Sequence, residues 1–287
     1  MMNHLHTFLA DAEKKVAESG SPTPRLDAEV LLAHLLKVER INLYLSDDLN
    51  LNDETSSQFN EFIKRRCNHE PVAYITGDKE FWSMPVKVTK DVLIPRPETE
   101  ILIERVLSML DISSRDLHLL DLCTGSGNIP MALAKEISQA KIVATDISAD
   151  ALKVASTNTS FAKNRIDLRL GDLFEPLNSD EKFDLITANP PYGRPADAHL
   201  FSPEVIEHEP EMAVFGGTDG LDLISDIIKY SHKYLKADGC LVMEIGIGQA
   251  ESVSQLFSDV DQYEDVNIEK DYAGIERIVS ARYKWKS

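Results

Sequence analysis

Cysteine, positive charge and long apolar runs are all scarce in this 287-residue chain, and each scarcity removes a class of function. Its three cysteines, Cys67, Cys123 and Cys240, are odd in number and far apart, with no C-x-x-C pair and no histidine at metal-ligand spacing. That excludes a disulfide framework and a zinc finger; the thiols read as reduced, and no metal is expected. Lys and Arg total 30 against 48 Asp and Glu, a formal charge of −18. Wrapping a nucleic-acid duplex requires clustered cations against phosphates, so no direct nucleic-acid partner is expected. No stretch approaches the ~18 consecutive apolar residues of a membrane span. The beginning, Met1-Met2-Asn3-His4-Leu5-His6-Thr7-Phe8, lacks the charged segment and apolar run of a secretory leader. The expectation is a cytoplasmic protein with no membrane partner. What is present is an ordinary apolar share, 43%, in a chain long enough for one large domain and a small one.

Three zones divide the chain. From residue 7 to 66 apolar positions recur at helical spacing, in Leu26-Asp27-Ala28-Glu29-Val30-Leu31-Leu32-Ala33-His34-Leu35-Leu36 and again through Phe59, Phe62 and Ile63. Breaks fall at Gly20-Ser21-Pro22-Thr23-Pro24 and around residues 46–52. Residues 1–71 therefore form a small helical domain, either a folding cap or a docking surface for a macromolecule. Short β-like runs follow, Tyr74-Ile75-Thr76 and Val86-Lys87-Val88, with Gly77 and Pro85 as turn signals, predicting a β-hairpin connector over residues 72–95. In the remainder, residues 96–287, a helix is expected from Glu98 to Met109, strands near residues 117–123, 141–146, 166–171, 183–188 and 240–245, and helices near 129–137, 148–161 and 221–235. Such alternation is the signature of an α/β protein with a mainly parallel, doubly wound sheet. Around Gly274 the tail departs from it, with two final strands and no helix between them.

Leu119-Leu120-Asp121-Leu122-Cys123-Thr124-Gly125-Ser126-Gly127-Asn128-Ile129-Pro130 reads as strand, glycine-rich turn and helix start. Gly125 and Gly127 allow a sharp turn and a close ligand approach, and Pro130 suits a first helical turn. Asp146 ends the next strand about 20 residues on, where an acid accepts hydrogen bonds from ribose hydroxyls. Gly171-Asp172-Leu173-Phe174 ends the third, where Asp172 could hold an adenine amine and Leu173 could cover its ring. A dinucleotide enzyme would use the same turn, but Pro130 occupies the place of the third glycine of its pyrophosphate fingerprint. A ligand without phosphate suits the loop better. S-adenosylmethionine has adenine, ribose and an amino acid arm, and Asp121 could face its amino group; capping or turn formation is the plain alternative for Asp121 and Asp172.

Asn189-Pro190-Pro191-Tyr192 follows the apolar run Phe183-Asp184-Leu185-Ile186-Thr187-Ala188. Two prolines cannot continue a strand, so the chain must leave the sheet there with carbonyls unpaired by neighbouring strands. An amide, free carbonyls and an aromatic face thus meet at a strand's carboxyl end, where open α/β sheets bind ligands. This is an acceptor-rich clamp for a planar group bearing an NH2. A Pro-Pro turn capped by an Asn is the alternative from those four residues alone.

With these residues in place, the chain resembles the HemK/PrmC family of class I, Rossmann-like methyltransferases, the release factor glutamine methyltransferases. The likeness runs nearly the whole length: Asp121 to Gly127, Asn189 to Tyr192, Val92-Leu93-Ile94-Pro95-Arg96-Pro97-Glu98-Thr99-Glu100, His208-Glu209-Pro210-Glu211, Gly216-Gly217-Thr218-Asp219-Gly220-Leu221, Met243-Glu244-Ile245-Gly246 with Gln249, and Lys270-Asp271-Tyr272-Ala273-Gly274-Ile275-Glu276-Arg277. The resemblance implies that the helical domain contacts a peptide chain release factor and that the substrate is the glutamine of its Gly-Gly-Gln loop. It implies a cofactor loop of Cys123, Thr124, Gly125, Ser126 and Gly127, a ribose acid at Asp146, an adenine contact at Leu173 and an active-site amide at Asn189. Arg96, Pro97, Glu98 and Thr99 resemble the family's lid over cofactor and glutamine. Two departures stand out. Cys123 replaces a more usual glycine and makes the loop look like the enzyme that methylates a ribosomal protein glutamine, and Gly193 replaces a bulky apolar residue.

The chemistry expected is N5-methylation of a glutamine by in-line attack on a sulfonium methyl. An amide nitrogen is a poor nucleophile, so Asn189 and the Pro190 carbonyl are each expected to accept one of its N–H groups, with Pro191 completing the turn and Tyr192 packed on the amide plane. No general base is evident. An adenine N6 methyltransferase would use the same acceptors on a flipped base, and a binding module could retain the fold without turnover. The enzyme is expected to act as a monomer.

Overall fold

The computed structural model describes residues 4–45, 52–110 and 116–284. The break expected around residues 46–52 lies outside them except for Asn52. The described chain divides into two compact units, Met1–Asp78 with Ser202–His208, and Lys79–Phe201 with Glu209–Ser287.

The first unit is helical: α1 His4–Glu18, α2 Pro24–Leu36, α3 Asn42–Leu45, α4 Asp53–Cys67 and α5 Val72–Thr76. Pro24 starts α2, where no N–H is needed, and Lys37 in the left-handed region ends it. Asn52 caps α4 by accepting the Thr55 N–H at 2.8 Å. Leu5, Leu9, Val16, Leu31, Leu32, Phe59 and Ile63 close over one another as the core. Within it Arg66 and Asp27 form a buried ion pair at 2.7 Å, completed by hydroxyls of Ser21 and Thr23 on Asp27 and by Glu204 on Arg66. Tyr74-Ile75-Thr76, expected as a strand, is helical. Pro71 accepts the N–H groups of Tyr74 and Ile75, Gly77 closes the turn onto Ala73, and Ile75 is buried. Packing of Ile75 outweighs the β preference of a short branched run.

The second unit begins with the expected hairpin, β1 Asp78–Phe81 and β2 Met84–Lys87. Trp82 and Ser83 both take φ 52°, the positive values that a tight two-residue hairpin requires. Trp82 is held there by its backbone N–H on Glu100 and its indole N–H on Glu136, each at 2.7 Å. The elements after it are α6 Glu100–Met109, β3 His118–Leu122, α7 Asn128–Glu136, β4 Lys141–Asp146, α8 Ala149–Asn158, β5 Ile166–Leu170, β6 Phe183–Ala188, α9 Pro203–His208 (part of the first unit), α10 Glu211–Val214, α11 Asp222–Ser231, β7 Leu235–Glu244, α12 Ala250–Ser258, β8 Tyr263–Lys270 and β9 Glu276–Tyr283. They build a seven-stranded sheet of order β5-β4-β3-β6-β7-β9-β8. β5 through β7 are parallel, and β9 and β8 join antiparallel. The central strands are buried along their length, as parallel strands covered on both faces must be.

Two boundaries move. The helix expected over residues 221–235 stops at Ser231, because Leu235 is already a buried strand residue opposite Phe183. β7 therefore starts five residues before the expected 240 and carries an irregularity where Asp238 takes φ 61°. α12 was not anticipated. Its Val253 and Phe257 pack with Ile224, Ile227, Leu241 and Met243 in the core behind the sheet. Among the described residues no helix is long and apolar enough to cross a membrane.

Candidate active site

β3 lies between β4 and β6, so the strand order reverses at its two sides, and the loop leaving it opens at the carboxyl ends of all three. Cys123 takes φ 56° there, and Gly127 takes φ 75° with a hypothetical Cβ only 3.0 Å from that of Ala155. Gly127 is therefore required both for its conformation and for the approach of α8. Three of the loop's N–H groups are committed: Thr124 to the Thr145 carbonyl, Gly125 to Asp146 Oδ2 at 2.7 Å, and Gly127 to the Thr124 carbonyl.

Asp146 accepts Gly125 on one oxygen and Ser148 N–H on the other, at 2.7 and 2.8 Å. Burial raises its carboxyl above the ordinary range, while those two bonds pull it down. Leu173 takes φ 44°, and its carbonyl accepts the Thr145 hydroxyl. Asp121 is fully buried, with Oδ1 on the Thr187 hydroxyl at 2.7 Å and Oδ2 without a partner. Burial pushes its carboxyl up to about 7. The nearby Thr124 hydroxyl lowers it somewhat without making a well-aligned bond, and Thr187 lowers it further.

On the other side of the opening stands Asn189. Its Nδ2 donates to Thr99 Oγ1 at 3.2 Å, Thr99 donates to Glu244 Oε2 at 2.6 Å, and the Tyr192 hydroxyl donates to Glu244 Oε1 at 2.9 Å. Glu244 is completely buried, which raises its carboxyl. Gln249 donates to the carbonyls of Tyr192 and Gly220 and accepts the Gly246 N–H. Gly216 and Gly220 run so close behind this loop that a Cβ would meet the Pro191 oxygen at 2.1 Å and the Tyr192 oxygen at 2.2 Å. Gly193 has the same cause: its Cβ would meet the Val214 carbonyl at 2.7 Å, since its own N–H bonds that carbonyl. The segment expected as a lid is tied down by Glu209, which accepts from Ile94 N–H and from the Arg96 guanidinium.

Together these walls enclose a cavity of about 260 Å³. Of the residues expected in the site, Cys123, Thr124, Gly125, Ser126, Asp146, Asp172, Leu173, Arg96, Thr99, Asn189 and Pro191 line it. Asp121, Gly127, Pro97, Glu98, Pro190 and Tyr192 do not; Asp121 is fully buried in β3, Gly127 is set against Ala155 of α8, and Tyr192 faces Glu244. Asp91, Asp146 and Asp172 make the wall acidic, with Arg96 its one cation among the described residues.

Known proteins resemble this chain along most of its length. A family model described as the PrmC N-terminal domain matches residues 7–77, and one described as the methyltransferase small domain matches residues 98–218. A release factor glutamine methyltransferase of Geobacter sulfurreducens is 40% identical, aligned over 93% of this chain and 92% of its own. The protein of that description from Coxiella burnetii is 39% identical, over 96% and 98%. The chain belongs to the release factor glutamine methyltransferase family. A methyltransferase from Pyrococcus furiosus, 15% identical with a TM-score of 0.51, covers 71% of this chain and 91% of its own, and shares the fold.

The S-adenosylmethionine of a release factor glutamine methyltransferase fits this cavity on three counts. A cationic ligand suits the acidic wall. Thr124 Oγ1, on the cavity wall, is a buried polar atom without a partner, and such an atom is normally satisfied by something. Pro130 in place of the third glycine of a pyrophosphate fingerprint suits a ligand with no phosphate. Asn158 was missed by sequence reasoning. It is buried at the end of α8, donating to the carbonyls of Ser126 and Lys87 and accepting Lys87 N–H, so it staples the glycine loop to the hairpin. An asparagine near a helix end carries no sequence signal for that task. Glu209, Glu244 and Gln249 lay within the family likeness but had no assigned task; their partners are far away in sequence.

Proposed function

We propose that this enzyme methylates N5 of the glutamine side chain in the Gly-Gly-Gln loop of a peptide chain release factor, as a cytoplasmic monomer, with the helical domain docking the rest of the factor. The observation that carries the chemistry is Asn189, held by Thr99 at the mouth of the same cavity that Asp146 and the glycine loop line. S-adenosylmethionine supplies an electrophilic methyl group on a sulfonium. The chain's own residues must place an amide nitrogen against it. Asn189 Oδ1 and the Pro190 carbonyl would each accept one substrate N–H, leaving the nitrogen's remaining lobe aimed inward, and the proton displaced as the nitrogen gains the methyl group would pass to solvent, while Arg96 and Thr99 close the lid side. Asp146 would hold the ribose, and Asp172 and Leu173 the adenine. Holding reactants in an attack-ready pair supplies roughly 7 to 11 kcal/mol of barrier reduction, which suits a site whose described wall offers positioning groups.

Relatives named as release factor enzymes along nearly their full length support the choice of target, while the Cys123-Thr124-Gly125-Ser126-Gly127 loop favours a ribosomal protein as the second reading. Mass spectrometry after incubation with labelled cofactor decides between them: methyl on the release factor glutamine is expected. Incorporation only into the ribosomal protein overturns the target and keeps the glutamine chemistry, and incorporation only into adenine overturns both.

A further inference from the structure

Glu244 ends β7 wholly buried, yet none of the roles set out above uses its charge. Its oxygens are divided: Oε2 accepts the Thr99 hydroxyl at 2.6 Å and Oε1 the Tyr192 hydroxyl at 2.9 Å. Burial raises this carboxyl, while the two hydroxyls and the Arg277 charge favour its ionised form; a carboxylate only accepts, so both hydroxyls turn to it as donors. Thr99 has then spent its one proton, and toward Asn189 its oxygen can only accept. It takes Asn189 Nδ2 at 3.2 Å. An amide bound through its nitrogen on one side shows its oxygen on the other. The two orientations of an asparagine amide have the same shape and opposite hydrogen-bonding character, so something must choose between them.

The geometry points to Thr99 and Glu244 as positioning residues that set the polarity of the Asn189 amide, Glu244 orienting the Thr99 hydroxyl and Thr99 orienting the amide, so that an acceptor faces the substrate. This rests on the glutamine reading of the site. Its consequence is substrate discrimination as well as rate. Glutamine brings N–H donors to Asn189, whereas a glutamate of the same shape brings only acceptors. With Asn189 held, glutamate meets oxygen against oxygen. With Asn189 free to turn, its NH2 welcomes the wrong side chain.

Thr99→Val keeps the shape and removes the hydroxyl; Thr99→Ser keeps the hydroxyl. Both are compared with the parental enzyme at saturating S-adenosylmethionine, using a Gly-Gly-Gln loop peptide as substrate and its Gly-Gly-Glu counterpart as competitive inhibitor. Thr99→Val is expected to lower kcat about tenfold, the effect of one well-placed hydrogen bond, and to bring the inhibition constant of the glutamate peptide toward the KM of the glutamine peptide. Cofactor Kd, measured by calorimetry, is expected to move less than about threefold, and Thr99→Ser to restore both kcat and selectivity. Glu244→Gln added to Thr99→Val is expected to leave the selectivity ratio where Thr99→Val put it. Parental selectivity in Thr99→Val, failure of the serine to restore it, loss of cofactor binding in the valine variant, or a further change of the ratio on adding Glu244→Gln each overturns the inference. A parental enzyme inactive on every glutamine substrate is a different result, seen before any variant is made, and it removes the glutamine reading itself.

Discussion

The two sides of the cavity are built on different principles. On the cofactor side the bonds that shape the glycine loop itself connect backbone to backbone or backbone to one acid, Gly127 to Thr124, Gly125 to Asp146 and Ser148 to Asp146, with Asn158 as the one long-range side chain that pins it from outside. On the amide side they connect side chains across long stretches of chain. Asn189 reaches Thr99, Thr99 reaches Glu244, Gln249 reaches the carbonyl of Tyr192, and Glu209 reaches Ile94. A strand-loop-helix unit can form its ligand cradle from local geometry, while the amide side needs the sheet complete from β3 to β7 before its groups meet. Damage to the first side should appear as lost binding, damage to the second as lost turnover.

The largest expected effect breaks the amide side alone. Asn189→Ala should lower kcat on the order of 10² or more, as loss of one preorganised polar contact to a transition state does, while cofactor Kd stays close to parental. Steady-state kinetics with calorimetry measures both; parental turnover would remove Asn189 from the mechanism. Next comes the mirror experiment. Asp146→Ala takes away the acceptor of Gly125 and Ser148 N–H and a charged partner for the ligand, at about 1.5 to 3 kcal/mol, so cofactor Kd should rise roughly tenfold to a hundredfold while kcat at saturation changes less. An unchanged Kd would sink the ribose assignment. Smaller again is Asn158→Ala. It leaves the Ser126 and Lys87 backbone groups without their partner, and should lower unfolding free energy by about 1 to 3 kcal/mol in a urea titration. Equal stability would mean that water replaces the staple at little cost.

That contrast also decides what could be read in advance. The glycine loop, Asp146 and the Asn189-Pro190-Pro191-Tyr192 turn are contiguous or fixed by one strand-to-strand step, and periodicity located every strand of the parallel sheet. The ends drawn wrongly were those where tertiary packing overrode local preference: Tyr74-Ile75-Thr76 became helix because Ile75 is buried over a Pro71 turn, and Leu235 joined β7 because it lies opposite Phe183. Glu244 looked like part of a strand end, and Gln249 fell in no expected element. Nothing local says that their partners are Thr99 and Tyr192, because that depends on β7 lying beside β6 and on the segment carrying Thr99 reaching the end of β7. Gly193 shows the same limit, since its need for a missing Cβ comes from Val214.

The smallest effect tests whether Asp121, buried in β3 and off the cavity wall, still belongs to the cofactor side. Burial raises its carboxyl from the ordinary 3.8 to about 7 in the folded protein. The folded state thus holds a proton that the unfolded chain releases near pH 4, and Asp121 makes stability fall as pH rises through that window, with its cost fully present above pH 7. A cationic ligand reverses the preference by favouring the carboxylate. Cofactor affinity should therefore fall as pH drops below about 7, by up to roughly tenfold per unit, with proton release on binding, and should level off above it. Calorimetry in two buffers of different ionisation enthalpy reads that release directly. Asp121→Asn should flatten the dependence and shrink the proton release at pH 6; a variant that keeps the parental slope would hand the titration to Asp146, which burial also raises, and confine Asp121 to its bond with Thr187.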